Sequence, residues 1–145
     1  MTDHVLVPTD ASPLSERALT FALEEYAEEA EITLLHVFDF VDAGYGAPME
    51  ASLPGYWEDW YETQEEQAEE LFADAQETAD EYGVTLRTET AVGRPARSIV
   101  EFAETETVDH VVMGSHGRSG VSRMLLGSVA ETVLRRAPCP VTVVR

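Results

Sequence analysis

Short apolar runs alternate with helix-period segments along this chain, and that alternation constrains the fold more than any other feature. His4-Val5-Leu6-Val7 ends at Pro8 and predicts a strand. Thr9-Asp10-Ala11 reads as a turn. Ser12 then suits an N-cap, with Pro13 in the first helical position. Leu14, Ala18, Phe21, Ala22 and Leu23 recur at helical spacing. Residues 32–40 (ITLLHVFDF) are nearly all apolar, β-branched or aromatic, as in a strand covered on both faces. Residues 42–55 are rich in Gly, Pro and Ala and predict a long loop. A helix is expected over 57–82, with Trp60, Tyr61, Ala68, Leu71, Phe72, Ala75, Ala79 and Tyr82 inward and Gly83 ending it. Residues 84–92 alternate, with Val84, Leu86, Thr88, Thr90 and Val92 on one face, which predicts a half-exposed edge strand. Pro95 opens a helix to Glu104 that buries Ile99, Val100 and Ala103. Residues 109–113 read as a buried strand, 128–136 as a helix and 140–144 as the last strand.

Strands alternating with helices predict an α/β fold, a parallel sheet with helices on both faces. Right-handed crossovers leave few topologies. With the alternating third strand at an edge, the expected strand order is 3-2-1-4-5. The chain of 145 residues then forms one three-layer α/β/α domain over 1–145. Such a sheet reverses between strands 1 and 4, and ligands bind outside the carboxyl ends of the strands there.

Charge narrows the functions. The chain has 28 acidic and 9 basic residues, for a net charge of −19. All the basic residues are arginines. The lack of lysine excludes a P-loop lysine, a Schiff-base lysine and a phospho-receiver lysine. The acid excess disfavours nucleic acid and anionic membranes as partners. Residues 1–86 hold 22 acids against one base, whereas residues 87–145 hold 6 acids against 8 bases. Poorly paired acidic helix faces repel themselves at low salt, and molar salt screens them. We therefore read the composition as halophile-like, suited to an acidic proteome in a cytoplasm of high ionic strength. Met1 to His4 lacks the pattern that opens a signal peptide, no apolar run is long enough to span a membrane, and Cys139 has no disulfide partner, so a cytoplasmic protein is expected. Cys139 reads as a small core residue between two prolines, and His36 as a satisfied core histidine. His110 is expected to flank the fourth strand on the surface.

The chemistry concentrates in GSHGRSGVSRMLLGSV, residues 114–129. Glycines at 114, 117 and 120 permit positive φ and close backbone approach to a ligand. Gly127-Ser128 puts a small residue and a hydroxyl at a helix N-terminus, where free N–H groups favour phosphate. Arg118 and Arg123 add positive charge. The alternative is a loop that merely turns the chain, with Ser128 a plain cap. The place of the segment after strand 4, opposite Asp10, favours a nucleoside triphosphate, although Asp10 also suits a simple turn. No Ser-His-Asp order or nucleophile elbow is present, so no catalytic residue is assigned.

The sequence resembles the universal stress protein family, in its nucleotide-binding branch. The resemblance rests on Gly114, two residues, Gly117, nine residues, Gly127 and Ser128. It extends to residues 5–12 (VLVPTDAS), 34–37 (LLHV), 92–95 (VGRP) and 138–144 (PCPVTVV), and so over nearly the whole chain. It implies a Rossmann-like, adenine nucleotide alpha hydrolase-like fold that binds ATP or another adenine nucleotide, with Mg²⁺ bridging the phosphates. Asp10 would then accept from ribose hydroxyls beside Pro8 and Thr9, and Val37 would meet adenine through its backbone. Met113, Gly114, Ser115, His116, Gly117, Arg118, Gly127, Ser128 and Val129 would surround the ribose and phosphates. It also implies a homodimer through Val141 to Val144 and a stress-response switch with at most slow ATP hydrolysis, acting on an unknown protein partner. Two rivals stay open: an interaction module of the same fold without nucleotide, and an ATP-dependent enzyme of a related fold.

Overall fold

The computed structural model describes residues 2–39, 52–116 and 126–145. Among the described residues five strands and four helices alternate: β1 (His4–Pro8), α1 (Pro13–Tyr26), β2 (Glu31–Phe38), α2 (Tyr56–Asp80), β3 (Arg87–Val92), α3 (Pro95–Thr105), β4 (His110–Gly114), α4 (Ser128–Arg136) and β5 (Val141–Val144). The sheet is parallel throughout, in the order β3-β2-β1-β4-β5. The expected architecture and strand order are therefore found.

Side-chain alternation sorts the strand residues onto two faces. Val5, Val7, Ile32, Leu34 and Val112 pack under α1 and α2, with Ala18, Ala22, Leu23 and Ala79. Leu6, Leu35, Val111 and Met113 pack under α3 and α4, with Ile99, Ala103, Ala130 and Val133. Leu6, Val7, Ile32 and Leu34 are at most 1 % exposed. Burying each such side chain contributes about 1.5–3 kcal/mol, so these central strands hold the two layers together. The uneven charge along the sequence becomes an uneven charge between layers. The acid-rich first half supplies α1 and α2, whereas Arg94 and Arg97 sit at α3 and Arg135 and Arg136 on α4.

Three expectations are corrected. The third strand begins at Arg87 and not at Val84, and its alternation, which leaves the facing open, resolves with the Arg87 face inward. Arg87, Glu89 and Ala91 are half-buried, while Thr88, Thr90 and Val92 are exposed. The reason is Arg87: its guanidinium pairs with Glu89, Glu106 and Glu31 and lies over the Phe102 ring, 5.8 Å from its centroid. Those partners lie on the α3 side and draw the arginine face inward. The aromatic start of α2 is not full core: Tyr61 is exposed and Trp60 only half-buried, and full burial begins at Ala68. At 25 residues α2 is about 37 Å long, which outruns the sheet beneath it. His110 is not a surface residue. It is half-buried, contacts the Tyr26 ring, and its Nε2 lies 2.7 Å from Thr142 Oγ1. The expected loop over 42–55 lies mostly outside the described residues.

Candidate functional site

The site forms where β1 and β4 part. Their pairing covers Val5 with His110 and Leu6 with Val111, and both strands continue beyond it. On the β1 side the chain turns through Thr9, Asp10 and Ala11 into α1. Thr9 stays attached to β2, its N–H donating to Leu35 O at 2.9 Å. Asp10 Oδ1 accepts from Ser12 N at 3.0 Å, an Asx-type turn. Ala11 sits at φ 65°, a left-handed conformation that costs a non-glycine residue energy. Ser12 caps α1 by accepting from Ser15 N. The Thr9 hydroxyl donates to Ser15 Oγ at 3.1 Å, and Ser15 Oγ donates to Ser12 O at 2.8 Å. Ser12 and Ser15 are 5 % exposed, and their polar atoms have partners. This buried hydroxyl network escaped the sequence reading. Its signal was Thr9, Ser12 and Ser15 spaced by three, hydroxyls where a helix start would otherwise place apolar residues.

On the β4 side, Met113 is buried in the core beneath α3 and α4, so only its backbone faces the crevice. Gly114 has an ordinary φ, and its small size serves packing instead. A Cβ there would lie 2.8 Å from Leu14 Cβ and 3.0 Å from Leu14 C. Glycine at 114 lets α1 lie against the end of β4, and the positive φ that glycine permits is not used there. Ser115 is buried; its N–H donates to Val144 O at 2.8 Å and its hydroxyl lies 3.1 Å from His116 Nδ1. Ser115 therefore ties the loop to β5. Gly127 N donates to Ser115 O at 2.8 Å, and a Cβ on Gly127 would lie 3.0 Å from that same oxygen. This close approach holds the start of α4 against the end of β4.

Gly127, not Ser128, is the N-cap of α4, and among the described residues no side chain caps this end. Ser128 is the first helical residue and is exposed. The N-cap glycine offers no side-chain acceptor to the first-turn N–H groups of α4, and the helix dipole adds positive potential there. Val129 is half-buried over the α3/α4 core. Val37, on β2 opposite Ala91, is half-buried on the same side of the sheet. Pro8 is buried at the end of β1. The structure thus brings Pro8, Thr9, Asp10, Met113, Gly114, Ser115, His116, Gly127 and Ser128 to the carboxyl end of the sheet around the β1/β4 parting. Gly117 and Arg118, with Gly120 and Arg123, lie outside the described residues.

His36 was expected to be a satisfied core histidine. It is half-buried, and its Nδ1 lies 2.8 Å from Thr9 O. A carbonyl can only accept, so Nδ1 carries the proton and donates. Cys139 is half-buried in the α3/α4 core, and burial with the nearby Asp109 charge pushes its thiol pKa up, as expected of an inert thiol. Among the described residues no group of three or more His, Cys, Asp or Glu is placed to hold a metal ion. No described helix is long and apolar enough to cross a membrane.

A parallel α/β sheet with a glycine-capped helix N-terminus at its reversal defines a class of ligand-binding folds, and comparison with known proteins narrows it. The chain belongs to the universal stress protein family, whose profile matches residues 1–145. It is 41% identical over 142 residues to universal stress protein MJ0531 of Methanocaldococcus jannaschii, covering 97% of this chain and 81% of that one. The solved structure of hypothetical protein MJ0577 superposes with a TM-score of 0.86 at 31% identity, covering 99% of this chain and 96% of that one. A universal stress protein solved in complex with cAMP superposes with a TM-score of 0.69 at 25% identity, covering 99% and 97%.

Proposed function

We propose that this protein binds an adenine nucleotide, ATP in the first place, across the β1/β4 parting and uses its occupancy as a regulatory switch in a stress response. The observation that carries this reading is the N-terminus of α4, uncapped by any side chain among the described residues and held against the end of β4 by the Gly127–Ser115 hydrogen bond. A triphosphate fits this donor set: backbone N–H groups at Ser128 and Val129, with Gly127 too small to obstruct them. Asp10, on the facing turn, accepts from ribose hydroxyls, and the Val37 backbone meets the adenine edge. Gly117, Arg118 and His116 complete the phosphate surroundings. A divalent ion, where present, is held chiefly by the phosphates, since the described residues offer no ligand cluster of their own. The relative solved with cAMP supports an adenine nucleotide as the ligand class.

The protein acts as a cytoplasmic homodimer. β5 is the outer strand of the sheet, four residues long and half-buried along its length. A second copy pairing with Val141 to Val144 would cover an edge that otherwise invites aggregation. Hydrolysis, where it occurs, is slow and times the switch.

The test is calorimetric titration of ATP with Mg²⁺ in high KCl, preceded by mass spectrometry of co-purified nucleotide. Micromolar binding or a retained adenine nucleotide supports the reading. A folded protein that ignores millimolar ATP overturns it in favour of an interaction module of the same fold.

A further inference from the structure

The turn assigned to the ribose is pinned from below by a residue outside the proposed contact set. His36 sits on β2, and its Nδ1–H donates to the Thr9 carbonyl at 2.8 Å. The neighbouring backbone bond, from Thr9 N to Leu35 O at 2.9 Å, is the last rung of the β1–β2 ladder. Past it the chain leaves the sheet, and the Thr9 carbonyl needs a donor from elsewhere. His36 supplies that donor. The two bonds fix both polar groups of the Thr9 backbone immediately before Asp10. The next residues carry the strain: Ala11 is at φ 65°, and Asp10 Oδ1 is turned back onto Ser12 N. A left-handed non-glycine turn persists only where its surroundings hold it. The His36 ring is itself held. It meets the Phe38 ring edge-on at 5.6 Å between centroids, and Phe38 meets Tyr61 of α2 in the same way at 5.5 Å. Phe38 is 1 % exposed, so this stack rests on the core.

We propose that His36 is a positioning residue for nucleotide recognition, orienting the Thr9–Asp10 turn so that Asp10 reads the ribose hydroxyls. This rests on the nucleotide reading of the site. A neutral imidazole protonated on Nδ1 keeps Nε2 as an acceptor, so the tautomer is set by the Thr9 carbonyl.

Two measurements test it. The first needs no ligand: two-bond proton–nitrogen NMR of the histidine rings should show His36 protonated on Nδ1, and protonation on Nε2 alone would overturn the proposal. The second compares ATP with 2′,3′-dideoxy-ATP, which lacks the hydroxyls that Asp10 would read. The wild type should prefer ATP about tenfold, as expected for one or two hydrogen bonds to a charged group. His36→Leu should collapse that preference toward one. His36→Asn, whose amide can place an N–H close to the Nδ1 position, should restore most of it. A merely structural defect would weaken both nucleotides equally and leave the ratio unchanged, which would overturn the positioning role. Should His36→Leu fail to fold, the preference of His36→Gln, whose amide lies one methylene too far out, against that of His36→Asn decides the matter. Equal preferences in these two overturn the proposal. A wild type that binds neither nucleotide sinks the nucleotide reading itself, and the positioning role with it. A wild type that binds ATP with no loss of preference in His36→Leu sinks only the inference about His36.

Discussion

Gly114 and Leu14 approach so closely that a single methyl group would collide: a Cβ on Gly114 would lie 2.8 Å from Leu14 Cβ and 3.0 Å from its carbonyl carbon. The near atoms are backbone and the base of a side chain, which cannot swing aside. Gly114→Ala should therefore push α1 away from β4 and cost about 1–3 kcal/mol, the range for overpacking a filled interior. Chemical denaturation of the two proteins at one high salt concentration measures it. A change below about 0.5 kcal/mol would mean that α1 moves freely at its start.

Gly127 is constrained for a related reason and with a different consequence. A Cβ there meets Ser115 O at 3.0 Å, the oxygen to which Gly127 N already donates. Gly127→Val should spring the start of α4 from the end of β4, and ATP affinity should fall at least tenfold in calorimetry. The loss in folding stability should be smaller than for a core truncation, because the α4 residues that carry its packing, Ala130 and Val133, are untouched. Undiminished ATP binding would show that the α4 N-terminus does not hold the phosphates.

These two glycines show where sequence reading succeeds and where it stops. The alternation of strands and helices is periodic and local, so element types, strand order and the α4 bounds were legible. The edge position of β3 was legible too, from its alternation, but not its facing. Alternation says that two faces differ without saying which one Arg87 will turn toward Glu106 and Phe102. The spacing of Gly114 and Gly127 was visible, yet its cause was not. Leu14 and Ser115 become their neighbours only when three elements converge. The aromatic start of α2 looked like core because the period was right, but a helix longer than its sheet leaves one end uncovered.

His110 gives a prediction with a definite sign. Burial lowers its pKa below the ordinary histidine value, while in the unfolded chain it titrates near that value. The unfolded state therefore binds more protons as pH falls through about 6.5, and stability drops with it, levelling off below the folded pKa. His110→Gln should be flatter with pH over that window. Denaturation midpoints from pH 5 to 8 for both proteins, compared as a difference, remove the contribution of the carboxylates. Parallel curves would mean that His110 titrates alike in both states.

α2 is the element most exposed to ionic strength. It carries ten carboxylates and no basic residue. Among the described residues the ion pairs join Arg87, Arg97 and Arg135 to other glutamates, and none reaches α2. Pairs such as Glu58 with Glu62, Glu62 with Glu66 and Glu66 with Glu70 stack like charges one turn apart, each destabilising by a few tenths of a kcal/mol. The Debye length is ~30 Å at 0.01 M and ~3 Å at 1 M, so the repulsion acts in full at the first and is screened at the second. Helical circular dichroism and Tm should both rise between 10 mM and 3 M KCl. Glu62→Gln with Glu66→Gln should remove part of that rise. Equal stability at both salt concentrations would dissociate the acid excess from any need for salt.

Asp10 offers the sharpest separation between a turn former and a ligand contact. Its Oδ1 accepts from Ser12 N, a bond that asparagine can also make through its amide oxygen. Asp10→Asn should therefore keep the turn and the start of α1, whereas Asp10→Ala should lose the Asx bond. If the carboxylate reads ribose hydroxyls, both variants should weaken ATP, because a charged acceptor binds a hydroxyl more strongly than a neutral one. Neither should weaken inorganic triphosphate to the same degree, since in the proposed pose the phosphates lie toward α4. The expected loss for ATP is roughly five- to tenfold in Asp10→Asn and larger in Asp10→Ala. Calorimetry with both ligands measures the split. Equal losses for ATP and triphosphate would make Asp10 part of the turn alone.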